Sequence, residues 1–412
     1  MTRFLPYRAG PFWRAGFYAA GTVAIEGRLC LTIKWDGFCV QSAELVSTRP
    51  VQACHIFRGK TVAHVVAILP LLFSVCRLAQ SAAALQACQQ ALGIGPSSSV
   101  RRTRQLVVLA ETAQEYLWRF SLDWPQLTGA QTDEKAYAQG RVGLERAIQP
   151  VLADAGWKTA GSAAIDLNIE AWQRFATQLA RHVEQRLLGI APLEFLAIAS
   201  VEALEAWCRS RAVPLAGMIG MLMEQSMEHG EPSAVPLMPA AGEMAALADA
   251  LAADDGFAQW PQWRGGALET GALARMQGHP LLGDILRRGG NRLLARVVAR
   301  LLELAALPQR IQALLLAEPD GADGRPGREG LGQAWVETAR GLLLHRVEVA
   351  GEVVRRYQIL APTEWNFHPG GVLVDELRGV RAADEGALRK KIAMAMLALD
   401  PCVGYELRIE HA

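Results

Sequence analysis

The residues best suited to chemistry are the seven cysteines, Cys30, Cys39, Cys54, Cys76, Cys88, Cys208 and Cys402. A thiolate can act as a nucleophile, a redox group or a ligand for soft metals. Their number is odd, their spacing is wide and the chain runs to 412 residues, so a disulfide scaffold is not expected. Cys30, Cys39, Cys88 and Cys208 read as small apolar fillers. Cys54 sits beside His55 in a predicted loop, a pair able to bind stray metal, though the inert reading is preferred. The eight histidines are scattered, with no two at i, i+4 spacing among acidic neighbours, so no independent zinc site is expected. The stretch from Gly321 to Gly330 lacks a Gly-Lys-Ser/Thr ending, which removes a phosphate-binding loop. Arg389-Lys390-Lys391 reads as a solvated helix face.

These residues need elements to position them. The chain is 51% hydrophobic and 20% charged, with 42 basic against 41 acidic residues and a net charge of +1. That composition excludes a disordered chain and a strongly basic nucleic-acid binder. Arg3, Arg8 and Arg14 followed by an apolar stretch superficially resemble a secretory leader. Gly16, Gly21 and Thr22 interrupt the stretch, and no small-residue cleavage site follows. The longest apolar run, Thr61 to Cys76, contains His64 and Pro70 and falls short of the ~20 residues a membrane span requires. With unpaired thiols and no export signal, a cytoplasmic location is expected.

Alternation from Val23 to Lys34, the Asp36-Gly37 turn and a return over Phe38 to Val46 predict a hairpin. Helical periodicity runs from Thr61 to about Leu92, then over Arg101 to Phe120, Ile169 to Leu188 and Leu193 to Arg209. Residues 124–165 read as mixed and loop-rich. Gly230 to Glu243 is a break, Ala245 to Ala252 a short helix and Gly256 to Gly271 a loop. Leu293 to Leu316 reads as a long helix interrupted at Pro308. A second hairpin turns at Ala350-Gly351, and a helix over Asp384 to Leu399 precedes Pro401 and a short extended tail. The expected fold class is mainly α (α+β), a central helical bundle with small antiparallel sheets from the N- and C-terminal segments. We expect one domain over residues 1–412. Its sub-regions are an N-terminal hairpin segment (1–60), a helical body (61–330) and a C-terminal hairpin, helix and cysteine tail (331–412).

Several short strings stand out when the two ends are read together. They are Leu71-Leu72-Phe73-Ser74-Val75-Cys76-Arg77-Leu78-Ala79-Gln80 and Leu399-Asp400-Pro401-Cys402-Val403-Gly404-Tyr405. Between them lie Glu269-Thr270-Gly271-Ala272-Leu273-Ala274-Arg275, Ala339-Arg340-Gly341-Leu342-Leu343-Leu344-His345 and Tyr357-Gln358-Ile359-Leu360-Ala361-Pro362-Thr363-Glu364-Trp365-Asn366. Ile25-Glu26-Gly27 and Phe57-Arg58-Gly59 precede them. In this order the strings resemble the large subunits of nickel-iron hydrogenases, and in particular the HupK/HoxV-type hydrogenase expression/formation proteins. The resemblance spans almost the whole chain. Residues 95 to 255 share only helical content with the family.

The departures from the catalytic pattern carry the functional expectation. Catalytic subunits supply a Cys-x-x-Cys pair from each end, and the four thiolates hold nickel and iron. Here Phe73 and Tyr405 stand at two of those positions, leaving Cys76 and Cys402. Thr61 and Arg408 stand where the family places residues tied to a magnesium-type ion. The resemblance therefore implies a non-catalytic scaffold that transiently holds an Fe(CN)2(CO) fragment without nickel. Cys76 and Cys402 would be the metal ligands. Arg340 and Thr363 would donate to cyanide, Pro362 would shape the wall, and Glu26 would accept a thiol proton. The implied partners are a small hydrogenase-maturation chaperone, the iron-cyanide assembly machinery and the apo large subunit of a hydrogenase. The alternatives are a divergent hydrogenase with residual redox activity and a metal-free decoy that binds the chaperone.

Overall fold

A computed structural model of the chain describes residues 27–73, 75–161, 164–226, 233–240, 245–288, 292–317 and 329–411. Strands β1 (Leu29–Trp35) and β2 (Val40–Ser47) form the expected antiparallel hairpin, with Leu29 opposite Ser47. Alternate β1 residues Leu29, Leu31 and Ile33 are buried, as a period of two requires. The other edge of β1 pairs in parallel with the last strand of the chain. This first sheet is therefore mixed, not antiparallel, and both chain ends build it.

Helices α1 (Val62–Leu72) and α2 (Arg77–Ala91) divide what reads in sequence as one helix. The break carries Phe73 and Cys76. Helix α3 (Ser98–Trp118) runs into a π-helical turn over Arg119–Asp123 and then α4 (Trp124–Thr128). The expectation of loop over 124–165 is corrected by α5 (Glu134–Ala153). Its Asp133 cap accepts from the Ala136 N–H at 2.9 Å, and Tyr137, Leu144, Ile148 and Val151 form its buried stripe. Gly140, Gly143 and Pro150 obscure that stripe in sequence. Helix α6 (Ile169–His182) follows the expected pattern. The next expected helix is split into α7 (Pro192–Leu196) and α8 (Val201–Ser210), because Ser200 caps a new start. Helices α9 (Pro214–Ser226), α10 (Ala245–Ala253), α11 (Ala272–Met276) and α12 (Pro280–Arg287) lead to α13 (Leu293–Leu316).

Helix α13 is the axis of the molecule. It packs against α3, α6, α7 and α11. Its residues are buried on most sides, and Pro308 sits inside it without interrupting it, contrary to the expectation. Buried neighbours hold the helix through the proline, where an isolated peptide would break. Its buried Arg296, Arg300 and Glu303 point to partners on other elements.

Strands β3 (Leu331–Thr338), β4 (Gly341–Ala350) and β5 (Val353–Leu360) make an antiparallel sheet in that order, one strand more than the expected hairpin. Helix α2 lies on it. The contact is close because α2 presents small residues, Ala83, Ala84, Ala87 and Ala91. Gly332 completes the fit, since a Cβ there would overlap the Ala87 carbonyl oxygen. The short α14 (Pro362–Asn366) and α15 (Val372–Leu377) precede α16 (Glu385–Leu399) and β6 (Tyr405–His411), the strand that joins β1. The architecture is the expected mainly helical body with small sheets at its ends.

Candidate functional site

Cys76 is the N-cap of α2, and its own side chain makes no capping bond. The free N–H groups of the first turn are taken instead by Glu111 of α3, whose carboxylate accepts from Leu78 at 2.8 Å and Ala79 at 3.0 Å. One turn into α2, the Gln80 amide donates to the Cys76 sulfur at 3.7 Å. Its oxygen lies 2.9 Å from His345 Nε2, and His345 Nδ1 lies 2.8 Å from the Tyr357 hydroxyl. Burial lowers the His345 imidazole to about 3, so it is neutral. The consistent arrangement has Tyr357 donating to Nδ1 and Nε2–H donating to Gln80. Cys76 is thereby oriented by residues from three of the strings singled out in sequence.

Cys402 follows α16. Asp400 ends that helix in the left-handed region at φ 56° and is buried. Its carboxylate accepts from Arg119 at 2.6 Å and from Arg340 at 3.4 Å. Burial would raise this acid, but Arg119, Arg340 and Arg300 outweigh it and hold it down at about 2. The Thr363 hydroxyl, at the start of α14, lies 3.1 Å from the Cys402 sulfur. Arg49, from the loop after β2, donates through Nη1 to the same sulfur at 2.6 Å. Arg49 also pairs with Glu364 at 2.8 Å, and the Ala361 N–H holds the other oxygen of that carboxylate at 3.1 Å. Nothing in the sequence marks Arg49, which lies 353 positions from Cys402.

Arg340 occupies the tight turn between β3 and β4. Its backbone N–H donates to the Thr338 hydroxyl at 3.2 Å, and Gly341 takes φ 135°. A Cβ at Gly341 would meet the Thr270 side chain at 2.5 Å. The Thr270 hydroxyl accepts from Leu342 N–H at 3.0 Å, and Thr270 N–H donates to the Asn366 side chain at 2.9 Å. Three separated strings thus interlock behind one arginine. Asn366 is part of that lock. The Arg340 guanidinium reaches Glu115 at 2.8 Å and Asp400, while its buried Nε has no hydrogen-bond partner among the described residues.

The two cysteines lie within electrostatic reach of one another. Each is close enough for its charge to act on Arg49 and Arg340. Desolvation pushes the Cys76 thiol up to about 12, with Cys402 and Glu111 adding to the effect. Arg340 and the Gln80 hydrogen bond oppose it without cancelling it. Arg340 favours the Cys76 thiolate, but desolvation outweighs it. Among the described residues no group of three or more His, Cys, Asp or Glu is arranged to hold a metal ion. Two soft sulfurs and an orphaned guanidinium N–H suit a metal fragment that brings its own acceptor ligands.

Other candidate positions fall elsewhere. Glu26 lies outside the described residues. Pro362 is buried at the first position of α14. Phe73 packs beneath the β3–β5 sheet, and Tyr405 pairs with Leu29 in the mixed sheet. Thr61 caps α1, and Arg408 is on the exposed face of β6. Cys54 and Cys88 are buried in the α2–sheet core, where burial pushes both thiols up to about 12. Among the described residues no helix is long and apolar enough to cross a membrane.

No protein-family model matches the chain. It is 31% identical over 406 residues to the hydrogenase expression/formation protein HoxV of Cupriavidus necator, covering 95% of this chain and 97% of that one. It is 28% identical over 402 residues to HupK of Azotobacter vinelandii, covering 94% and 100%. The fold matches a Ni-Fe-Se hydrogenase chain from D. vulgaris Hildenborough with TM-score 0.59 at 18% identity, over 91% of this chain and 98% of that one. It matches one from Desulfomicrobium baculatum with TM-score 0.58 at 16% identity, over 90% and 96%. At that identity the structures speak for the fold alone, which is the nickel-iron hydrogenase large-subunit-like fold anticipated from the strings. Near full-length identity to the curated relatives decides the rest: the chain belongs to the HoxV/HupK family of hydrogenase expression/formation proteins.

Proposed function

We propose that the protein is a non-catalytic scaffold of nickel-iron hydrogenase maturation, which holds an Fe(CN)2(CO) fragment between Cys76 and Cys402 and passes it to an apo large subunit. The observation that carries this reading is that one cysteine from each end of the chain lies within electrostatic reach of Arg340, whose buried Nε lacks a hydrogen-bond partner among the described residues. Three diatomic ligands occupy half of a six-coordinate iron shell, so two sulfurs suffice to retain the fragment and few bonds must break to release it. Arg340 gives a cyanide nitrogen a donor that would otherwise be missing, a deficit worth about 1–3 kcal/mol for a buried acceptor. Thr363, engaged with Cys402, orients the sulfur as well as lining the pocket. Binding releases thiol protons, for which Glu26 is the acceptor the resemblance implies. The partners are a small maturation chaperone, the iron-cyanide assembly machinery and the recipient large subunit, in the cytoplasm.

The decisive measurement is an infrared spectrum of protein purified anaerobically from a host that expresses the maturation genes. Carbonyl and cyanide stretches are expected, and Cys76→Ser or Cys402→Ser should each abolish them. A protein with no such bands is a decoy for the chaperone. Bound nickel with hydrogen uptake would make it an enzyme.

A further inference from the structure

We propose that Arg49 is a positioning residue that restricts Cys402 to a single metal and excludes a second dication from the pocket. The inference deepens the reading of Cys76 and Cys402 as the ligand pair and rests on it. A thiolate sulfur has three lone pairs. At Cys402 one is directed to Arg49 Nη1 at 2.6 Å and another to the Thr363 hydroxyl at 3.1 Å. One remains, enough for a terminal bond to one metal and too few for a sulfur shared between two. The guanidinium also places a fixed positive charge where a second cation would have to approach.

Arg49 is held firmly in this position. Its side chain is only 11% exposed and is paired with Glu364, itself 6% exposed. Glu364 is fixed in turn by the Ala361 N–H at the foot of α14. The loop that carries Arg49 is seated against Gly27. Gly27 has φ 70°, and a Cβ there would meet the Thr48 carbonyl oxygen at 2.5 Å and Arg49 Cα at 2.7 Å. Gly27 therefore acts as a seat for the Arg49 loop, a role distinct from that implied for Glu26 beside it. The fork geometry matters as well as the charge, because Arg49 reaches sulfur and carboxylate at once.

The test uses the full-length protein purified anaerobically from a host that expresses the maturation genes, so that the iron fragment is the first metal, titrated with nickel chloride as the second against a chromophoric chelator. Wild type is expected to bind nickel weakly. Arg49→Leu, which adds no ligand of its own, should tighten nickel binding at least about tenfold, with a new thiolate-to-nickel absorption. The double variant with Cys402→Ser should lose that gain, and Arg49→Lys, which keeps the charge but not the fork, should fall between wild type and Arg49→Leu. If Arg49→Leu does not fold by circular dichroism, Arg49→Gln, which removes the charge and the fork, should also tighten nickel binding. Nickel affinity within about twofold of wild type, or a gain that survives Cys402→Ser, overturns the proposal. The infrared bands test the scaffold separately. Bands with an unchanged nickel affinity reject only the role of Arg49. A wild type without bands rejects the scaffold, while the titration still reports whether Arg49 guards Cys402.

Discussion

At the scale of single residues, charge pairing in a buried setting organises the pocket. Asp400 is the clearest case, because three arginines from α3's π turn, α13 and the β3–β4 turn converge on it. Its carboxyl is held near 2, against an ordinary value of about 3.9. A carboxyl lowered in this way stabilises the fold fully above its unfolded pKa and loses that contribution as pH falls from about 4 toward 2. The shift corresponds to about 2–3 kcal/mol. Asp400→Asn should therefore lower stability by roughly that amount at pH 7, with the gap to wild type closing below pH 3. Urea unfolding at the two pH values checks this, and an equal gap at both would show that packing, not charge, holds Asp400. Arg340 and Cys402 were legible in the sequence through their strings. Arg49 was not, because a partner 353 positions away leaves no local trace.

At the scale of elements, small residues set how closely the parts approach. Helix α2 can present Cys76 to the pocket only while it lies flat on β3, and Gly332 permits that contact. Gly332→Ala should push the helix outward and cost about 1–3 kcal/mol through overpacking. Its thermal midpoint should fall and its iron-bound infrared bands should weaken. Gly95→Ala, where a Cβ meets nothing within 4 Å, is the control and should change neither. Capping offers a second handle. Asp384 caps α16 by accepting from the Ala387 N–H at 2.8 Å, so Asp384→Ala should cost about 1 kcal/mol in denaturant unfolding. Where a stripe was broken by glycine and proline, as in α5, the helix was hidden in the sequence. Where neighbours enclose a proline, as at Pro308 in α13, the sequence overstated the break.

At the scale of the whole molecule, the last described strand pairs with the first. β6 lies parallel to β1 from Leu29–Tyr405 to Trp35–His411, and the Leu29 N–H donates to the Gly404 carbonyl at 3.1 Å. This pairing locates the tail that carries Cys402 against the hairpin that leads to Arg49. Truncation after Gly404 should leave the helical body folded and release that tail. Alkylation followed by peptide mass spectrometry should then show Cys402 reacting about tenfold faster or more, with Cys88 unchanged. Unaltered Cys402 reactivity would mean that Asp400 and its arginines hold the tail alone.

The sequence by itself determined the helical class, the N-terminal hairpin, the order of the strings and the survival of one cysteine from each end. These features are local patterns or matches in order, which need no knowledge of distance. Tertiary structure alone decided that the small sheet is mixed, that β3 exists beside the expected hairpin, and that the strings meet behind Arg340 in one hydrogen-bonded lock. It also decided that Cys402 already has Arg49 and Thr363 on its sulfur. Parallel pairing, close helix–sheet contact and convergent charge all join residues far apart in the chain, and their energies depend on separations that only folding sets.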